Sequence, residues 1–226
     1  MEKKNFASIL DCAMLEPETT LKQLEEICGN AVKYGYAAVA VMPYRVKQAV
    51  IFLEGSNVRV CAALGFPLGM TTPEVKAFEA SQAIRDGALD VDMVINVGAI
   101  KDNNFEDVYN DIEGVVEAAK SSGKDIVVKV ILETCLLTDE EKIKACETAQ
   151  KAGADFVKTS TGFNKEGATI HDLELMKKTV GDHMGVKAAG KVRTYEDAVA
   201  FTQAGSTRLG CSARSALVIV HASMID

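Results

Sequence analysis

The chain has 226 residues, of which 48% are hydrophobic and 25% charged, and its formal net charge is −7. This composition suits one globular domain with a substantial core. The negative charge argues against nucleic acid or an anionic membrane as a general partner. No stretch approaches the ~20 apolar residues that a membrane helix needs. The six cysteines have no C-x-x-C spacing, which favours a reducing, cytoplasmic location over a disulfide framework or a zinc site.

Short β-rich runs alternate with amphipathic segments along the whole chain. The predicted strands cover residues 6–10, 37–42, 58–64, 89–97, 126–133, 156–160, 185–189 and 207–210. The predicted helices cover residues 21–33, 73–86, 105–121, 139–151 and 195–204. Glycines follow three of the helical segments at positions typical of left-handed C-caps, and Thr138 precedes the fourth helix as an N-cap.

About eight βα units in ~200–250 residues predict an α/β fold of the (β/α)₈ TIM-barrel type, with the active site at the C-terminal strand ends. An open doubly wound sheet is the alternative, but no G-x-G-x-x-G motif follows the first strand. No linker or low-complexity tract interrupts the chain. We therefore expect one domain over residues 1–226.

Charged side chains share one face of the predicted central strands. Because side chains alternate along a strand, Asp92, Lys129 and Lys158 lie on the inward parity of three consecutive strands, and Lys187 lies between two small residues on the next. Adjacent strands are ~4.8 Å apart, so these four side chains are expected to form one cluster. The three histidines fall in polar or terminal surroundings and are predicted to be surface residues.

The lysine cluster admits three interpretations. Neighbouring cations lower the pKa of at least one amine, and burial acts in the same direction. A neutral lysine is a nucleophile toward carbonyls, so a Schiff-base site is the favoured interpretation. A structural ion network and a simple anion-binding site remain alternatives.

Loops rich in glycine and hydroxyl groups follow the sixth to eighth predicted strands. They read Thr-Ser-Thr-Gly at 159–162, Ala-Gly-Lys at 189–191 and Gly-Cys-Ser at 210–212. Barrels often bind phosphate with backbone N–H groups of their last loops and a short helix N-terminus. The residues predicted to contact an anionic substrate are Thr159, Gly162, Gly190, Lys191, Gly210 and Ser212.

Several segments closely resemble deoxyribose-phosphate aldolases. They are F-V-K-T-S-T-G-F at 156–163, V-K-A-A-G-K-V-R-T at 186–194, V-D-M-V-I-N-V-G-A at 91–99, G-F-P-L-G at 65–69 and K-V-I-L-E-T-C-L-L-T at 129–138. The resemblance runs nearly end to end. It implies a class I aldolase, a carbon–carbon lyase, with no metal or other cofactor, acting on small aldehydes and a sugar phosphate, and assembled as a homodimer or homotetramer.

The resemblance also implies roles for three residues. Lys158 matches the lysine that forms an imine with acetaldehyde, and Lys187 matches the lysine that lowers the pKa of the first. Asp92 matches the acid that shuttles protons with a water molecule. The enamine would then attack glyceraldehyde 3-phosphate to give 2-deoxyribose 5-phosphate.

Four further charged residues have two interpretations each, as positioners of the catalytic groups or as barrel ion pairs: Asp11, Lys129, Glu133 and Arg193. Because interior charges are usually paired, we favour the structural role for Glu133 and Arg193.

The chain departs from the family pattern mostly at predicted strand ends, namely at Cys12, Ala13, Ala40, Met42, Lys191 and Arg214. One hypothesis is an active site changed toward a more apolar, non-phosphorylated electrophile. The other is lineage variation with the family's reaction intact. A barrel that binds sugar phosphate without turnover is the alternative of another class.

Overall fold

The computed structural model describes residues 4–224, which form a closed eight-stranded parallel barrel with strand order β1 to β8. The strands are β1 Leu10–Met14, β2 Ala38–Val41, β3 Arg59–Leu64, β4 Asp90–Val94, β5 Val127–Ile131, β6 Phe156–Lys158, β7 Gly185–Ala189 and β8 Arg208–Ser212. The predicted TIM barrel is confirmed, and β8 pairs with β1 to close it.

Helices connect the strands and cover the outside of the barrel. They are α1 Leu21–Tyr34, α2 Val46–Phe52, α3 Pro73–Arg85, α4 Val97–Lys101, α5 Phe105–Ser121, α6 Asp139–Ala152, α7 Ile170–Val180, α8 Tyr195–Gln203 and α9 Ala213–Met224. Short 3₁₀ turns occupy Ala7–Ile9, Pro43–Arg45 and Thr134–Leu136. Among residues 4–224, none of the helices combines the length and apolar character required to cross a bilayer.

Local sequence signals explain several helix ends. Thr138 forms a capping box with Glu141 at the start of α6, and Gly153 ends that helix with a left-handed φ of 86°. These caps satisfy backbone groups that would otherwise lack a partner. The predicted caps of α6 are therefore confirmed.

Two predicted strands differ from the observed ones by three or more residues at an end, and the others by one or two at most. The first was expected at 6–10, but Ala7–Ile9 is a 3₁₀ turn in which the Ala7 N–H donates to Asn5 Oδ1, and β1 starts at Leu10. The fourth was expected to reach residue 97. It ends at Val94 because the Asn96 side chain accepts from the Ala99 N–H and begins α4. Both errors come from Asn side chains that compete for backbone donors.

The two halves of the barrel lumen differ in side-chain size. Small side chains of β1 to β3 form a cluster inside it, comprising Ala38, Ala40 and Cys61 with Ala13 against them. Charged side chains of β4 to β8 fill the opposite side, and the register pairs Asp92 with Lys129, and Lys158 with Lys187. The small residues leave space above the charged ones for a cavity.

Candidate active site

A cavity of about 270 Å³ opens at the C-terminal ends of the strands. The side chains of Asp11, Lys158 and Lys187 line its deep part. Its rim comes from the loops after β6, β7 and β8, together with the β1–α1 loop. A cavity at this end of the barrel is the position at which TIM-barrel enzymes carry out chemistry.

Lys158 is the last residue of β6 and presents its amine to this cavity. The residue is 5% exposed, and its Nζ donates to Asp92 Oδ2 at 2.7 Å. Burial is the main cause of a lowered pKa for Lys158, with Lys187 acting in the same direction and Asp92 opposing both. A buried amine with a lowered pKa has a larger neutral fraction, which is the form that attacks carbonyl carbon.

Asp92 lies directly behind the two amines of the cavity. Its Oδ2 accepts from Lys158 and Lys187, each at 2.7 Å, and its Oδ1 accepts from Lys129 at 3.0 Å and from the Cys61 thiol at 3.1 Å. Burial raises the pKa of Asp92, but the three ammonium groups outweigh it and keep this pKa well below the usual value. Asp92 is 1% exposed and is absent from the cavity lining, so only the two amines in contact with it face the cavity.

A second set of ion pairs extends from the floor of the cavity into the barrel lumen. Lys187 donates to Asp11 Oδ2 at 2.5 Å, and Arg208 donates to Asp11 Oδ1 at 2.9 Å. Lys129 donates to Asp90 Oδ2 at 2.6 Å and does not reach the cavity. Although burial lowers the pKa of Lys187, Asp11 and Asp92 raise it above its usual value. Lys187 therefore stays charged beside Lys158.

The predicted cluster thus has two layers with different characters. Asp92, Lys129, Lys158 and Lys187 do meet. The lower layer is the ion network that the structural interpretation expected, with Lys129 and Asp11 as its members. The upper layer exposes the Lys158 amine to a cavity, as the Schiff-base interpretation requires. The ion network and the reactive amine coexist in one barrel.

The loops that were predicted to contact substrate reach the cavity, with one exception. Gly162, Gly190, Lys191, Gly210 and Ser212 all line it. Thr159 does not: it is fully buried, and its hydroxyl accepts from the Ala189 N–H and donates to the Ala189 carbonyl. The prediction that Thr159 contacts substrate is wrong, because this side chain hydrogen-bonds the end of β6 to β7.

Arg193 was expected to be a paired interior charge, which is wrong. Its side chain is exposed and lines the rim of the cavity. Glu133 is buried with a left-handed φ of 56°, and its carboxylate accepts from the Thr161 hydroxyl at 2.5 Å and the Thr161 N–H at 3.3 Å. This contact makes Glu133 a positioner of Thr161, which lines the cavity, and the favoured interpretation as a barrel ion pair is wrong, because the partners of the carboxylate are a hydroxyl and a backbone N–H.

The sequence prediction missed several lining residues, among them Glu16, Phe163 and Ser215. Phe163 packs edge-on against Phe66, with ring centroids 5.2 Å apart. Ser215 lies in the first turn of α9, and its N–H donates to the Ser212 hydroxyl at 3.3 Å. The V-K-T-S-T-G-F run ends in a Phe, and this motif was a usable signal for Phe163. Glu16 and Ser215 carried no local signal.

The departures from the family pattern have separate locations. Ala13 and Ala40 line the cavity and make that wall apolar. Cys12 is buried on the outer face of β1, and Met42 precedes a 3₁₀ turn outside the lining. Arg214 lies in a different groove between α1 and α9, beside Glu18 and Glu26. Of the two new cations, only Lys191 reaches the cavity.

One group within residues 4–224 has the ligand types of a metal site, namely Asp139, His171 and Asp172. The Lys142 ammonium already lies between these acids, 3.0 Å from Asp139 Oδ1 and 2.6 Å from Asp172 Oδ1. This group is outside the cavity lining.

All three histidines are exposed, as predicted.

The chain is similar to proteins that are described as aldolases. The sequence profile of the family described as DeoC/LacD family aldolase matches residues 4–213. The chain is 53% identical over 216 residues to deoxyribose-phosphate aldolase of Lysinibacillus sphaericus, covering 96% of each chain. It is 56% identical over 209 residues to the enzyme of that name from Macrococcus caseolyticus, covering 92% of this chain and 93% of the relative.

A solved structure shares the fold closely. The tetrameric deoxyribose phosphate aldolase from Aeropyrum pernix superposes with a TM-score of 0.88 and 32% identity, covering 96% of this chain and 90% of that one. The barrel fold is therefore shared with a solved structure described as a deoxyribose phosphate aldolase.

Proposed function

Because the chain belongs to the DeoC/LacD family of aldolases, we propose that it cleaves 2-deoxy-D-ribose 5-phosphate reversibly into acetaldehyde and D-glyceraldehyde 3-phosphate. The observation that carries this proposal is the Lys158 amine, buried at the end of β6, open to the cavity and 2.7 Å from Asp92. The reaction class is that of a carbon–carbon lyase working through a lysine imine.

The first step needs a neutral Lys158. The Lys158 ammonium gives its proton to Asp92 Oδ2, the acceptor in direct contact with it. A neutral Lys158 removes one of the cations that lower the pKa of Asp92, so this carboxylate becomes a better proton acceptor at that moment. Neutral Lys158 then attacks C1 of the open-chain sugar, and loss of water gives the imine.

Carbon–carbon cleavage follows from the imine. A base removes the proton of the C3 hydroxyl, the C2–C3 bond breaks, and its electron pair moves into the C1–C2 enamine while glyceraldehyde 3-phosphate leaves. Protonation at C2 and hydrolysis of the imine release acetaldehyde and restore Lys158. The proposed roles are imine formation for Lys158, charge maintenance for Lys187 and proton transfer with water for Asp92.

The rim supplies the site for the phosphate. Gly162 and Gly190 leave the backbones of the loops after β6 and β7 open to the cavity, and Gly210 and Ser212 lie at the end of β8, just before α9. Backbone N–H groups at a helix N-terminus favour an anion. We place the phosphate against these loops, with the aldehyde end of the sugar at Lys158.

A reductive trap tests the mechanism. The protein is incubated with acetaldehyde and sodium borohydride, digested and analysed by mass spectrometry, with Lys158→Met as the paired variant. The expected result is one reduced two-carbon adduct on Lys158 in the wild-type chain. An unmodified Lys158, or an equal adduct level on the variant, contradicts the imine mechanism. A barrel that only binds sugar phosphate would show ligand stabilisation and no adduct at Lys158.

We also propose a homodimer or homotetramer in the cytoplasm. The Aeropyrum pernix relative is described as tetrameric, and several large apolar side chains are exposed here, including Leu68, Met70 and Phe78. All six cysteines are free, a state that a reducing compartment preserves. Light scattering of the purified chain, compared with its 24.2 kDa mass, measures the assembly.

A further inference from the structure

We propose that the Lys191 side chain determines specificity for phosphorylated substrates by pairing its ammonium with the substrate phosphate. This inference rests on the proposed function, and it concerns one of the positions at which the chain departs from the family pattern. It assigns to the chain a phosphate contact made by a side chain, in addition to the backbone contacts of the rim loops.

The backbone at Lys191 is strained. Its φ is 63°, in the left-handed region, and the preceding Gly190 has a φ of 73°. Residues other than glycine occupy this region uncommonly, and Asn and Asp more readily than lysine. A strained residue persists when the surrounding structure forces its conformation, and such residues concentrate at functional sites.

A crossing of two loops forces this conformation. Gly167 of the β6–α7 loop lies against Gly190, so close that an added Cβ on Gly167 would be 2.4 Å from the Gly190 carbonyl carbon. The Ala168 N–H donates to the carbonyls of Ala189 and Gly190, both at 3.0 Å. The β7–α8 loop therefore has little freedom to relax, and residue 191 takes the left-handed conformation whatever its side chain.

Packing does not offset this strain, because the Lys191 side chain is exposed. The side chain lines the rim of the cavity beside Arg193. Within residues 4–224, neither of these two cations forms a salt bridge. Two unpaired cations thus face the cavity in a chain whose net charge is −7.

The charge arrangement suits a phosphate monoester. The protein's overall field repels an anion, so binding needs local positive charge. Lys191, Arg193, Ser212 at the end of β8 and Ser215 in the first turn of α9 all border the same cavity. An ammonium acts as a compact point charge and suits a phosphate without a fixed bidentate geometry.

Three substitutions at residue 191 distinguish the effect of the side-chain charge from the effect of the strained backbone. Lys191→Met removes the ammonium and keeps the strained backbone, Lys191→Gly removes both, and Lys191→Arg keeps a cation. Lys165→Met is the matched control, since Lys165 is an exposed lysine of the neighbouring loop that does not line the cavity. Cleavage kinetics are measured with 2-deoxyribose 5-phosphate and with unphosphorylated 2-deoxyribose, and inorganic phosphate is the inhibitor probe.

The expected result is a change confined to the phosphorylated substrate. KM for 2-deoxyribose 5-phosphate and Ki for phosphate rise roughly tenfold in Lys191→Met and Lys191→Gly, the scale of one partly solvated charge-assisted hydrogen bond. Lys191→Arg retains most of the affinity. In the Lys191 variants, the KM for 2-deoxyribose and the extent of acetaldehyde trapping at Lys158 stay near the wild-type values. In Lys165→Met, the KM values, the Ki for phosphate and the extent of trapping all stay near the wild-type values. Lys191→Gly has the higher Tm of the two uncharged variants, because only glycine relieves the strain.

Other outcomes overturn the proposal. An unchanged KM in Lys191→Met shows that the ammonium is not a phosphate contact. A lower KM in Lys191→Gly shows that the side chain blocks the backbone from the phosphate. If the wild-type chain cleaves neither sugar, the proposed function is wrong. If the wild-type chain cleaves 2-deoxyribose 5-phosphate and the substitutions at residue 191 change nothing, only the role of Lys191 is wrong.

Discussion

At the residue scale, burial and neighbouring charge decide which lysine has a lowered pKa. Lys158 and Lys187 donate to the same carboxylate oxygen of Asp92, yet their pKa values move in opposite directions. Lys187 has a second carboxylate, Asp11, at 2.5 Å, whereas Lys158 shares its single carboxylate. The amine with fewer anionic partners is the one that burial can keep neutral.

Lys187→Met tests this difference. Burial and the Lys187 ammonium both lower the pKa of Lys158, so the substitution raises that pKa and shrinks the neutral fraction at pH 7. We expect the acidic limb of the pH profile for acetaldehyde trapping to move to higher pH, with turnover at pH 7 falling roughly 100-fold. The Tm of the variant reports any loss of folding. A trapping profile that keeps its acidic limb would contradict the role of Lys187.

Several site residues could be identified from the sequence alone, for a simple reason. Asp92, Lys129, Lys158 and Lys187 are charges at inward parity on apolar strands, and strand geometry brings inward residues together. Thr159 and Arg193 could not be placed in this way. β6 ends at Lys158, so alternation gives no orientation beyond it, and Arg193 lies in a loop whose path depends on contacts with other loops.

At the element scale, loop crossings set the geometry of the rim. Gly167 in the loop between β6 and α7 and Gly190 in the loop after β7 pack backbone against backbone. Glycine at both positions allows an approach that any Cβ would prevent. The loop that carries Lys191 and Arg193 is therefore positioned by a residue more than 20 positions earlier in the chain.

Gly167→Ala tests the crossing. The new Cβ would be 2.4 Å from backbone atoms of Gly190, so the loops must separate. We expect the free energy of unfolding to fall by about 1–3 kcal/mol, as overpacking typically costs, and the KM for the phosphorylated sugar to rise.

Gly29→Ala in α1 is the matched control for this substitution. Gly29 is helical, exposed and has no heavy atom within 4 Å of an added Cβ. The same chemical change there is expected to stabilise the chain by about 0.5–1 kcal/mol. Urea unfolding measures both variants, and equal effects at the two glycines would contradict a tight crossing.

At the scale of the whole molecule, the lumen combines stability and chemistry. Asp11 is buried between Lys187 and Arg208 and links β1 to β7 and β8. Burial raises the pKa of Asp11, but Lys187, Lys129 and Arg208 outweigh it and lower this pKa to about 2 from 3.8. A carboxylate with a lowered folded-state pKa stabilises the fold above its unfolded pKa, and this stabilisation is lost as the pH falls toward 2.

Asp11→Asn tests this linkage. At neutral pH the substitution leaves Lys187 and Arg208 with fewer anionic partners and should destabilise the fold by about 3–5 kcal/mol. Between pH 5 and pH 2, the difference in unfolding free energy between wild type and variant should shrink by roughly 2 kcal/mol. Asp125→Asn is the control, since its side chain is 97% exposed. A difference for Asp11→Asn that does not change with pH would contradict the lowered pKa.

The sequence by itself determined the barrel, the helix caps and the inward charges, because these depend on periodicity and on neighbours close along the chain. Tertiary structure decided that the charges separate into a buried ion network and two amines, those of Lys158 and Lys187, that face a cavity. It also decided that Lys191 stands at the rim and Arg214 elsewhere. These outcomes depend on burial and on contacts between distant loops, which no local pattern encodes. The pKa of Lys158 is the clearest case, since burial is its largest cause and burial exists only after the barrel has closed.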